Sequence, residues 1–245
     1  MNQKISIFTI VILSLSLILT GCNSSKYTDA MTLYANGEWD QAVEIFMDLG
    51  NYKDSQSMIQ KSYYSKAKEL AENGDYDTAI DIFTSLGNYE NSQDMVNECL
   101  YSKAMQLVAN KEFEVAIDTF QKLGGYKDSA QQILDTQVLQ IDEQLQGIWK
   151  GSDQIAGILL DYTFHFSDKR CKGTVSVQGT SMSNSGTYRI ALDEQAIYVL
   201  YDQGYIISSD GTSTTAGSEQ KPLTYKFENG KLLLFYQEIQ LTFAG

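Results

Sequence analysis

Residues 27 to 129 repeat themselves at an interval of 37, and no other feature limits the possible folds so tightly. Ten identities run through three copies: Tyr27/Tyr64/Tyr101, Ala30/Ala67/Ala104, Leu33/Leu70/Leu107, Asn36/Asn73/Asn110, Ala42/Ala79/Ala116, Phe46/Phe83/Phe120, Leu49/Leu86/Leu123, Gly50/Gly87/Gly124, Tyr52/Tyr89/Tyr126 and Ser55/Ser92/Ser129. A unit this short buries its apolar face only against its neighbours. The period therefore predicts a stacked, quasi-one-dimensional array.

Each unit reads as two helices. In the second copy Met58, Ile59, Tyr63, Ala67 and Leu70 form one apolar stripe at helical spacing, and Tyr76, Ala79, Ile80, Phe83 and Leu86 form another. Asn73-Gly74-Asp75 separates them: Gly accepts positive φ and Asp75 is placed to cap the second helix. Gly87 follows as a C-terminal stop, and Asn91 or Ser92 is expected to cap the next long helix, with Asp54 and Asp128 in the same place in the other copies. Ser129 to Leu145 is a last amphipathic helix, suited to covering the open end of the stack.

The run Asn73-Gly74-Asp75-Tyr76-Asp77-x-Ala79-Ile80-x-x-Phe83 resembles the second half of a tetratricopeptide repeat. Asn36-Gly37-Glu38-Trp39 with Ala42 and Phe46, and Asn110-Lys111-Glu112-Phe113 with Ala116 and Phe120, match it in the other copies. The departures are the period of 37 instead of 34, the missing inter-repeat Pro, and Lys111 in the turn-Gly position. The resemblance covers residues 26–145. It implies a partner-binding groove lined by the first helix of each pair, with Tyr27, Tyr64, Lys68, Tyr101 and Met105 as candidate contacts. Packing between helices would repeat Tyr27, Tyr64 and Tyr101 just as well, and both readings stand at this point.

From Gly147 onward the helical period gives way to alternation. Tyr162-x-Phe164-x-Phe166, Val175-x-Val177, Tyr188-x-Ile190-x-Leu192, Ile197-x-Val199-x-Tyr201, Tyr225-x-Phe227, Leu232 to Tyr236 and Leu241-x-Phe243 read as strands. Gly173, Gly179, Gly186, Gly204, Gly211, Gly217 and Gly230 punctuate them, and Asn229-Gly230 is a hairpin turn. Seven to nine short strands in this length predict a sandwich or barrel. Gly147-x-Trp149 at the first strand is similar to small bacterial lipocalin-like barrels, which implies a Trp closing one end. Ser208 to Gln220, rich in Ser, Thr and Gly, is read as a mobile polar loop. The expected fold class is α+β in two domains: an α-solenoid of tetratricopeptide-like helix pairs over 26–145 and an antiparallel β-barrel over 146–245.

Met1 to Cys22 has a positive start at Lys4 and an apolar stretch from Ile5 to Leu19, shorter than a membrane span. Leu19-Thr20-Gly21-Cys22 resembles the bacterial lipobox. This implies a signal peptide over 1–21, a lipidated tether over 22–25, and acyl chains on Cys22 that hold the protein at the extracytoplasmic side of the cell membrane. A plain signal peptide or uncleaved anchor is the alternative.

Charge and residue usage exclude several functions. The chain carries −13, which disfavours nucleic acid as a partner. Residues 23–145 hold 9 Lys against 21 carboxylates, a net of −12, whereas residues 146–245 hold 8 basic and 10 acidic groups, a net of −2. The repeat acidity reads first as a solvated helix face and second as a groove for basic peptides. One His and three Cys leave little for metal or nucleophile chemistry. Cys99 and Cys171 are expected to be buried free thiols, and His165, between Phe164 and Phe166, to face solvent. No catalytic residue, metal or cofactor is expected. Two functions compete: a membrane-anchored scaffold that binds an unidentified protein or peptide through the solenoid, or a lipoprotein whose barrel holds a small apolar ligand.

Overall fold

A computed structural model of the protein describes residues 22–203, 205–207, 213–215, 222–229 and 231–244. The chain is α+β, with seven helices followed by a closed eight-stranded antiparallel barrel. The helices are α1 (22–35), α2 (Trp39–Leu49), α3 (Ser55–Glu72), α4 (Tyr76–Leu86), α5 (Ser92–Ala109), α6 (Phe113–Lys122) and α7 (Ser129–Leu145). The helix starts at 39, 76 and 113, and at 55, 92 and 129, keep the period of the sequence. By packing, the chain divides into one unit of residues 1–110 and 118–129 and a second of residues 111–117 and 130–245. The packing boundary and the change of period therefore do not coincide.

In the first unit α2 packs on α3, α3 on α4 and α4 on α5. Ala30, Ala67 and Ala104 are fully buried where the backbones approach, as are Phe46, Phe83 and Phe120 on the shorter helices. Gly50, Gly87 and Gly124, at φ of +57°, +59° and +59°, end those helices at a positive φ, and Gly50 and Gly87 pair it with ψ of −116° and −114°, a combination that Gly adopts without strain. Lys111 keeps the left-handed turn that Gly37 and Gly74 form in the earlier copies, at φ +63°.

Capping differs from expectation. Asp75 accepts from the Thr78 N–H at 3.3 Å, but Asp54 and Asn91 make no side-chain cap on α3 and α5. Their oxygens accept instead from tyrosine hydroxyls of the preceding long helix. Ser55, Ser92 and Ser129 are fully buried, and their hydroxyls donate to the carbonyls of Tyr52, Tyr89 and Tyr126. That closure tightens the long inter-repeat turn which stands where a tetratricopeptide repeat has Pro.

In the second unit the barrel is formed by β1 (Gly147–Ile155), β2 (Ile158–Ser167), β3 (Arg170–Val177), β4 (Thr180–Ala191), β5 (Ala196–Gln203), β8 (Leu223–Glu228), β9 (Lys231–Tyr236) and β10 (Ile239–Phe243). A ribbon of β6 (Tyr205–Ile207) and β7 (Ser213–Thr215) is inserted between β5 and β8. Every barrel strand pairs with its neighbours along the chain, and β10 closes on β1 at Trp149↔Phe243. Ala156-Gly157, Asp168-Lys169 and Gln178-Gly179 are two-residue links with both φ positive, the geometry whose twist suits tight hairpins. The loop expected at Ser208 to Gln220 contains β7; its other residues, 208–212 and 216–220, lie outside the described residues.

Two glycines read as punctuation sit in mid-strand. Gly173 on β3 and Gly186 on β4 are buried in the wall. A Cβ on Gly173 would lie 2.3 Å from the Tyr201 hydroxyl, and one on Gly186 would lie 2.0 Å from the Leu200 carbonyl oxygen. They are glycines because other strands or side chains occupy the space, which matches the use of strand Gly at close approaches.

Large inward side chains fill the barrel: Trp149, Tyr162, Phe164, Phe166, Tyr188, Ile197, Tyr225 and Leu234 are buried together. The last turn of α7 belongs to this core through Ile141 and Leu145. The Trp149 indole N–H donates to the Leu145 carbonyl at 2.8 Å, and Gln144 Oε1 accepts from the Leu232 N–H at 2.9 Å. Asp142 accepts from the Tyr188 hydroxyl at 2.5 Å and pairs with Lys169. The helix expected to cover the end of the repeats thus packs into the barrel core.

Candidate functional site

Cys22, the first described residue, is exposed and helical, with a free thiol. The lipobox residues before it and the whole signal segment lie outside the described residues. Cys99 and Cys171 are free and buried, each in its own core. Burial pushes the Cys171 thiol up to about 12, so it stays protonated and inert at neutral pH.

The three repeat tyrosines share one environment. Tyr27 stacks edge-on against Phe46 and Tyr52, Tyr64 against Phe83 and Tyr89, and Tyr101 against Phe120 and Tyr126, with centroids 5.5–6.4 Å apart. Tyr27 donates to Asp54 at 2.5 Å, Tyr64 to Asn91, and Tyr101 to Asp128 at 2.6 Å. Lys53 lies 4.3 Å over the Tyr27 ring and Lys127 lies 4.8 Å over Tyr101. All three rings are half-buried. These contacts are of the kind the packing reading calls for: each ring lies against its helix neighbours, while each hydroxyl bonds at the exposed edge to the next inter-repeat turn. The hydrogen bonds to Asp54 and Asp128 raise the Tyr27 and Tyr101 hydroxyl pKa values, and burial raises that of Tyr64. Tyr126, donating to Glu98, is pushed up to about 12, while Lys127 and Tyr126 hold Glu98 below its ordinary range.

Lys68 and Met105 behave differently. They occupy one repeat position, 37 residues apart, and both are exposed. Lys68 lines a crevice between the α1–α2 turn and α3, with Trp39, Ser65, Glu69 and Glu72. The Trp39 indole N–H donates to Glu69 Oε2 at 2.5 Å, which holds the ring at the crevice wall. Two repeats on, Lys111, Phe113, Val115, Gln140 and Glu143 line a crevice between the start of α6 and α7. There Lys111 donates to Glu143 at 2.6 Å. Trp39 and Phe113, like Glu69 and Glu143, stand 74 residues apart, so the two crevices are the same place in the repeat. Each sets an aromatic ring beside carboxylates, an arrangement that receives a cationic side chain by cation–π and charge attraction.

Trp39, Glu69 and Glu72 were not singled out from sequence. Trp39, Tyr76 and Phe113 stand at one position of the repeat motif, but a shared aromatic class reads there as packing and gives no sign of a site. Among the described residues no group of three or more His, Cys, Asp or Glu is placed to hold a metal ion, and no helix is long and apolar enough to cross a membrane. Comparison with family models, curated proteins and solved structures returns no match for this chain.

Proposed function

We propose that the chain is a lipid-anchored lipoprotein on the extracytoplasmic side of the cell membrane, which acts as a scaffold and docks partner segments through tetratricopeptide-like repeats. The recurrence of one crevice at equivalent repeat positions carries this reading. The seat stands in the first and third copies, while the middle copy carries Gln106 where these have Glu69 and Glu143; a seat repeated along a stack of repeats suits an extended ligand. The acidity of the repeats and the ring-plus-carboxylate lining favour a segment bearing Lys or Arg. The lipocalin-like barrel has less to support it as a container for a small apolar ligand, because its interior is occupied by its own aromatic and aliphatic side chains and α7 packs into that core.

Two measurements test the proposal. Trp39 is half-exposed and Trp149 is buried, so Trp39 dominates any solvent-sensitive change in indole emission. A lysine-rich peptide is expected to change that emission saturably, an acidic peptide of equal length is not, and Glu72→Gln is expected to weaken the response several-fold. An identical response to both peptides would exclude the crevice as a cation seat. Cys22→Ala is expected to abolish processing and detergent-phase partitioning. Normal processing of that variant would refute the lipid anchor.

A further inference from the structure

The outer wall of the barrel across β2, β3 and β4 combines hydroxyls with basic side chains. Register sets His165 opposite Lys172 and Lys172 opposite Ser185, with Ser167 opposite Arg170 in the adjoining row. These five side chains are exposed, because they alternate with the buried Phe164, Phe166, Cys171 and Gly186. They line one shallow depression together with Asp168. The hydroxyl-bearing residues Thr163, Thr174, Ser176, Ser181, Ser183 and Thr187 continue the same face.

Its electrostatics differ from the rest of this acidic protein. Among the described residues Lys172 and His165 have no hydrogen-bond or ion-pair partner, whereas the neighbouring Lys169 and Arg170 each have a carboxylate. Asp202 holds Arg170 and so fixes the guanidinium at the rim; Asp168 accepts from the Ser167 hydroxyl at 3.2 Å. Lys172 therefore stands directly beside an imidazole with Arg170 in the adjoining row and no carboxylate assigned to it. Like-signed or unpaired cations on adjacent strands gain most from an anion placed among them.

We propose that this depression is a binding site for a free phosphate-type oxyanion. The Lys172 ammonium and His165 ring N–H donate to its oxygens, the Ser185 hydroxyl completes the seat, and Arg170 closes the rim. An oxyanion suits the site because it can take donors from two neighbouring rows, His165–Lys172–Ser185 and, beside it, Arg170.

His165 is the single histidine of the chain, so its ring resonances report on the site without assignment of anything else. Inorganic phosphate titrated into the full chain in detergent, at constant ionic strength, is expected to shift those resonances saturably in the millimolar range. Lys172→Gln is expected to raise the half-saturating concentration roughly tenfold, and Lys226→Gln, on β8, to leave it unchanged. A linear drift that chloride reproduces would overturn the proposal. A response seen only with phosphatidylglycerol vesicles would overturn it too, since the wall would then read a lipid surface and not a free ion.

Discussion

Replacing Tyr64 and Tyr101 together by Ser is expected to lower the unfolding free energy of the helical unit by roughly 2–3 kcal/mol per site. Each ring closes a three-aromatic cluster on a fully buried Phe, and each hydroxyl ties its helix to the turn 27 residues ahead. Ser empties the ring's place and leaves Asn91 and Asp128 without those donors. Tyr→Phe at the same sites keeps the stacking and loses one hydrogen bond each, at about 1 kcal/mol. Urea unfolding followed by helical ellipticity measures both. A double Ser variant within about 0.5 kcal/mol of the parent, the range of ordinary surface changes, would mean that the tyrosines stand free for a partner after all.

Gly186→Val is expected to be at least as damaging in the barrel. Its Cβ would come within 2.0 Å of the Leu200 carbonyl oxygen and 2.5 Å of the Tyr201 Cα. Both obstacles are backbone, held in the β4–β5 ladder at a register shift beside Ser185, so no side-chain rotation relieves the overlap. Strand separation must follow, and the cost reaches or exceeds the upper end of overpacking, about 3 kcal/mol. Gly173→Ala meets the far end of the Tyr201 side chain instead and is expected to cost less. Near-ultraviolet dichroism of the aromatic core reads the outcome for both. A Gly186→Val protein with native dichroism and midpoint would show that β4 and β5 are not packed as described.

Helix pairing was legible because it depends on side-chain periodicity along the chain. Ala67, Phe83 and Leu86 repeat at fixed spacing, and burying them demands the same two helices each time. The strands from Tyr162 to Leu241 were legible for a similar reason, since alternation alone separates Phe164 from His165. The role of Asp54 and Asn91 was not legible. A carboxylate or amide just before a helix is read as a cap, and nothing local reveals a tyrosine hydroxyl arriving from 27 residues back. The crevice residues Trp39 and Glu69 were hidden likewise, because their meeting is a contact between successive helix pairs.

The sequence by itself determined the period, the helix pairs, the switch to β alternation and the inward faces of the strands, all of which follow from short-range spacing of apolar side chains. Tertiary structure alone decided three other things. It brought the hydroxyls of Tyr27, Tyr64 and Tyr101 to acceptors across an inter-repeat turn, 27 residues ahead of each. It turned Gly173 and Gly186 from turn residues into wall residues, because strand β5 occupies the space a Cβ would need. It also carried the last turn of α7 into the barrel, where Leu145 and Trp149 bury each other's surface and neither could be buried by its own element alone.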